Sequence, residues 1–199
     1  ALSIWKIFDN LRRSLVPPSL LALLAGGWLF GPGSAWFWTL LVAGVVFLPT
    51  LLGAVIELIR KPEERDWLVH LILTSKSVGH PIVLALLRLA LLPYDTLICL
   101  DAILRSGVRM LFTRRGLLLW HMRSYASRNA RRTLAAIFLE MWIAPVLSLA
   151  LVFVMMNSRP EELPFTVPVL LLWLVSPVVC WWISRPLVST LPNFTVDQR

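Results

Sequence analysis

Among the residues able to do chemistry, one carboxylate is conspicuously placed. Glu140 interrupts the apolar run over residues 134–156. A helix beginning at Leu134 would carry it about 9 Å inward at 1.5 Å per residue. Ionisable groups at such depth are expensive, and they commonly serve as proton relays or substrate contacts. The simpler alternative is an ion pair with a boundary arginine such as Arg132, or a helix that starts later. Trp142 and Trp173 lie deeper in apolar sequence than most of the ten tryptophans. An indole face matches the apolar face of a pyranose ring, so Glu140, Trp142 and Trp173 form the candidate intramembrane polar site or sugar pathway.

A second group is cationic. Arg105, Arg109, Arg114 and Arg115 thread the apolar stretch 91–120. With a 3.6-residue period, Leu97, Leu100, Leu104, Val108 and Leu111 share one face, while Asp95, Arg105, Ser106 and Arg109 gather towards the other. This is an amphipathic helix, with Asp101 placed four residues before Arg105 for a helical ion pair. The arginines could hold anionic lipid, at about 1 kcal/mol each near the surface. They could equally dock a cytoplasmic domain.

Other chemistry finds no support. The chain has no Gly-rich phosphate loop, no HExxH, no nucleophile elbow and no Asp-x-Asp pair for a metal-bound nucleotide sugar. His70 and His80, separated by a Gly-Pro break, lack a ligand spacing, and Cys99 and Cys180 match no metal or redox pattern. No catalytic, cofactor or metal residue is expected within this chain.

The elements that must position these groups are membrane elements. The composition is 58% hydrophobic and 15% charged with a mean hydropathy of +0.76, more apolar surface than one soluble core needs. Residues 2–15 read as an interface helix ended by Pro17 and Pro18. Residues 16–59 form a transmembrane hairpin turning at the Gly-Pro-Gly-Ser of 31–34, with Trp28, Trp36 and Trp38 as an aromatic belt at its tip. Residues 67–132 read as cytoplasmic interface helices. Residues 134–183 form a second transmembrane hairpin with its turn at 157–164, kinked at Pro145, Pro168 and Pro177. Residues 184–199 begin a cytoplasmic linker. The expected fold is an all-α membrane protein with about four transmembrane helices in two hairpins plus cytoplasmic amphipathic interface helices.

That topology leaves Arg159 on one face and the other eighteen of the nineteen Lys and Arg residues opposite. The positive-inside rule makes the basic face, with both chain ends, cytoplasmic. The net charge of +8 then points to a bilayer with anionic headgroups as the partner, and not to nucleic acid. The chain opens without methionine and stops in polar sequence, so a piece of a longer polypeptide is expected.

Residues 6–18 (KIFDNLRRSLVPP), 92–120 (LPYDTLICLDAILRSGVRMLFTRRGLLLW) and 170–186 (LLLWLVSPVVCWWISRP) each resemble, in the same order, the membrane region of bacterial cyclic β-1,2-glucan synthases. The resemblance implies an inner-membrane segment between a processive glucosyltransferase domain and downstream glycoside-processing domains. The full enzyme would use UDP-glucose and a divalent metal, neither held by this segment, whose role would be to anchor and position the transferase and to contact glucan. Without the resemblance, the residues also fit a transporter or channel subunit, or a non-enzymatic lipid-binding scaffold.

Overall fold

The computed structural model describes residues 2–59, 67–108 and 133–185, with residues 2–4, 7 and 67–77 described by backbone alone. The helices are α1 Leu2–Phe30, α2 Ala35–Ile59, α3 Trp67–Val108, α4 Leu134–Glu140, α5 Ile143–Ser158 and α6 Leu163–Ile183, with a 3-10 turn at Pro160–Glu162 before α6. No strand occurs among the described residues, so the all-α expectation holds. Phe8–Phe30, Ala35–Ile59, Val78–Val108 and Pro160–Ile183 are each long and apolar enough to cross a membrane, and α4 with α5 makes a further, bent candidate.

The two hairpins meet at their turns. Gly33 adopts a φ of 81°, a left-handed conformation that glycine tolerates without a Cβ penalty, and this reverses the chain between α1 and α2. Glu162, from the second turn, accepts hydrogen bonds from the Ser34 hydroxyl at 2.8 Å and the Ala35 backbone N–H at 2.9 Å. It thereby satisfies one of the orphan donors at the start of α2. In return Arg159 donates to the Gly31 carbonyl at 3.1 Å. Both turns therefore lie at one end of the bundle.

Beneath these turns lies the core, built from Leu24, Trp28, Val42, Leu89, Leu92, Met155, Leu170 and Trp173 among others. Trp28 was expected in an interfacial belt, but it is fully buried. Its ring packs 5.9 Å from that of Trp173, and its N–H donates to Thr39 at 3.0 Å. With the N–H satisfied internally, an indole loses its reason to sit at a wet boundary. Trp36, at the start of α2, is half-exposed beside Phe165.

Prolines explain most departures from the expected helix limits. The helix α1 continues through Pro17 and Pro18. The carbonyls they orphan, at Arg13 and Ser14, lie at its exposed polar end, where solvent can satisfy them. A kink was expected at Pro145; the structure instead breaks the helix one turn earlier, with a 63° bend between α4 and α5. Pro145 cannot donate to Met141, and its ring crowds that carbonyl. The carbonyl turns away and accepts from Ala144 at 3.1 Å.

Residues 67–108 form one helix where several were expected, containing Pro81 and Pro93. It packs on α1, α2, α5 and α6. Val78 and Pro81 border a cleft with Pro49, Gly53 and Glu57 of α2, about 21–33 Å along α2 from its start at the turn. Some 24 Å further along α3, Tyr94 bonds Glu140, just beyond the start of α5 and about 22 Å from that helix's end at the other turn. Between these two points Leu89 and Leu92 enter the core with Trp28 and Trp173.

Candidate functional site

The α4–α5 break supplies the most chemically varied surface. Thr133 caps α4, accepting from the Ala136 N–H at 3.4 Å, and Ile137 of α4 packs inward. Leu139, across the helix from Ile137, and Glu140, at the helix end, are both exposed. Glu140 accepts a hydrogen bond from the Tyr94 hydroxyl at 2.9 Å. The partner is thus a neutral donor from α3; Arg132, the expected cation, lies outside the described residues. Trp142, the residue before α5, is 54% exposed. Trp173 stands apart, fully buried, with its N–H donated to the Leu89 carbonyl at 3.0 Å. Of the three candidate residues, Glu140 and Trp142 present surface and Trp173 does not.

Tyr94 escaped the sequence-based selection. The available signal was its place in Pro93-Tyr94-Asp95-Thr96, a polar interruption of an apolar run. Its partner could not be read, because it comes from another helix. Chemically, a carboxylate accepting from a phenol retains hydrogen-bond capacity on its second oxygen.

The cationic candidates lie at the end of α3. Arg105 pairs with Asp101 at 2.7 Å, as the four-residue spacing predicts, with both side chains well exposed. Arg109, Arg114 and Arg115 lie outside the described residues. The apolar face of this stretch stays uncovered by the described chain, with Leu100, Leu104 and Val108 all exposed. Near the start of α1, Arg12 and Arg13 both pair with Asp9, at 3.0 and 2.8 Å, beside exposed Trp5 and Phe8. Arg185 lies 3.9 Å over the Trp181 ring, next to exposed Trp182. Aromatic and basic residues thus recur at helix ends remote from the hairpin turns, as they do at headgroup level in membrane proteins.

His80 is exposed, while the side chain of His70 lies outside the described set. Among the described residues no group of three or more His, Cys, Asp or Glu could hold a metal ion.

No protein-family model matches this chain. Over 184 residues, 91% of its length, it is 29% identical to the cyclic beta-(1,2)-glucan synthase NdvB of Rhizobium meliloti (strain 1021). That similarity supports relatedness to the glucan synthase family. The chain spans 6% of the relative's length. Apolar helices and a glucan synthase relative together fit a membrane segment of such an enzyme.

Proposed function

We propose that this chain is the membrane-embedded segment of a cyclic β-1,2-glucan synthase, anchoring and positioning a UDP-glucose-dependent processive glucosyltransferase at the cytoplasmic face of a bacterial inner membrane. The observation that carries this reading is the 29% identity to a cyclic beta-(1,2)-glucan synthase over 91% of the chain, together with helices long and apolar enough to cross a membrane. Past Tyr94, α3 leaves an apolar face open beside exposed Arg105. By length and composition alone Val78–Val108 could cross the bilayer. Taken as an interface element, α3 leaves four crossings and brings both chain ends to the basic side, where flanking transferase and glycoside-processing domains would share a compartment. Arg105, Arg109, Arg114 and Arg115 then face anionic headgroups or the transferase itself.

The test uses the polypeptide that carries this chain. Its membranes should incorporate glucose from UDP-glucose into β-1,2-linked glucan in the presence of a divalent cation. A version lacking residues 1–199 should move the transferase to the soluble fraction or abolish incorporation. An intact polypeptide without UDP-glucose-dependent incorporation would overturn the reading, as would a deleted version that stays membrane-bound and fully active.

A further inference from the structure

We propose that the cleft between α2 and α3 is a binding site for a single glycerophospholipid, which lays one acyl chain between the two helices and offers an ester carbonyl to the Thr50 hydroxyl. The cleft measures about 360 Å³ and is lined by Pro49, Thr50, Gly53 and Glu57 of α2 with Val78 and Pro81 of α3. Small-molecule sites typically enclose about 300–1,000 Å³, and in helical bundles they open between helices. Side-chain length creates the gap. A Cβ on Gly53 would meet nothing within 4 Å, and the proline, threonine and valine side chains around it are too short to close the space.

Thr50 gives the cleft its polarity. In the other described helices Thr39, Thr96 and Thr166 turn their hydroxyls back onto carbonyls of their own helix, those of Ala35, Leu92 and Leu163. The Thr50 hydroxyl has no such partner among the described residues. Because no buried side-chain oxygen there is left unbonded, this one is reached from outside the protein. A hydroxyl in apolar surroundings is costly without a partner, and its proton needs an acceptor. The surroundings decide what carries that acceptor. Leu52 and Ile56, on the side of α2 that bears Pro49, are exposed, as is Leu84, one turn beyond Pro81 on α3. An occupant therefore enters through apolar surface and must bring its acceptor on an alkyl chain. A phospholipid ester does so, whereas a sugar or nucleotide does not. The cleft lies about 21–33 Å along α2 from its start, in the leaflet remote from the hairpin turns. The contact does not draw on Glu57 at the outer rim, which is already engaged.

The experiment labels the cleft with lipid. The polypeptide that carries this chain, purified in detergent micelles, is irradiated with a phosphatidylethanolamine bearing a diazirine on one acyl chain, and the labelled residues are read by peptide mass spectrometry. Saturable labelling within 49–57 and 78–84 is expected. Unlabelled diester phosphatidylethanolamine should compete severalfold better than its diether analogue, which lacks the carbonyls, as the loss of one neutral hydrogen bond predicts. Thr50→Val, which keeps the shape of the side chain, should remove that preference, and Thr50→Ser should retain it. Gly53→Leu should fill the cleft and abolish labelling. Gly44→Leu, on the opposite face of α2 and equally free of contacts at its Cβ, should leave labelling unchanged. An unaltered thermal unfolding midpoint separates a filled cleft from a lost fold, and the Thr50→Val competition decides the matter if Gly53→Leu does not fold. Labelling that never saturates, or that survives in folded Gly53→Leu, overturns the site and reduces it to contact with bulk lipid. Equal competition by diester and diether in the unsubstituted chain also overturns it, as does displacement by oleate at the potency of the phospholipid.

Discussion

The indole N–H of Trp173 donates to the carbonyl of Leu89 at 3.0 Å, the carbonyl that Pro93, four residues on, cannot bond. A proline inside a helix removes one backbone donor and usually kinks or breaks the helix. In an apolar medium the freed acceptor must find another donor, and α6 supplies it. The Ser176 hydroxyl performs the same repair within α6, donating at 2.8 Å to the Trp173 carbonyl left by Pro177. Trp173→Phe should therefore destabilise the bundle by about 1–3 kcal/mol, the cost of leaving a buried acceptor unsatisfied. Pro93→Ala restores a backbone N–H opposite Leu89, so the loss should shrink in the double variant. Thermal unfolding in detergent reads this non-additivity, and strictly additive losses would show that the indole hydrogen bond carries no weight.

Glycine at position 27 makes room for a ring. A Cβ there would lie 2.4 Å from the Trp38 side chain, whereas one at Gly44 meets nothing within 4 Å. Gly27→Ala should cost about 1–3 kcal/mol through overpacking, with displacement of Trp38 from its 3.3 Å hydrogen bond to the Pro32 carbonyl. Gly44→Ala should be neutral or stabilising by up to about 1 kcal/mol, since alanine narrows the unfolded ensemble. Unfolding midpoints of the two variants test the contrast, and equal shifts would contradict it.

The joined turns make a topological prediction. Because Glu162 holds Ser34 and Arg159 holds Gly31, the turns must emerge on one side of the bilayer. In a Cys99→Ser, Cys180→Ser background, Pro32→Cys and Glu161→Cys should both react with a membrane-impermeant maleimide added to spheroplasts. Ser184→Cys should react only after permeabilisation. Labelling of the two turn cysteines from opposite sides would break the paired-hairpin arrangement.

Local patterns were legible in the sequence, and contacts between helices were not. The first turn follows from Gly-Pro-Gly-Ser, and the Asp101–Arg105 pair from a four-residue spacing, because both depend on neighbours along the chain. Trp28 misled because an indole at a helix end has the same composition whether it faces headgroups or a partner such as Trp173. The continuity of α3 through Pro93 was hidden for a related reason: the donor that rescues Leu89 stands 84 residues away. In the candidate site, Glu140 and Trp142 were visible as polar and aromatic interruptions of an apolar run. Tyr94 reached Glu140 through tertiary packing alone.

The contact between α5 and α6 discriminates between polar and apolar control of the second hairpin. Ser148 is buried and donates to the Leu170 carbonyl at 2.7 Å, while Met155 and Leu151 supply apolar packing along the same helix. Interhelical hydrogen bonds in membranes average about 0.6 kcal/mol, reaching about 1.7, because the unfolded reference finds partners too. Truncating a buried Leu or Met to alanine costs about 2–5 kcal/mol through lost contacts and the cavity left behind. Ser148→Ala should accordingly lower stability by less than half as much as Met155→Ala. Paired denaturation curves in mixed micelles decide the point; a larger loss for Ser148→Ala would make the hydroxyl, and not packing, the main tie in this hairpin.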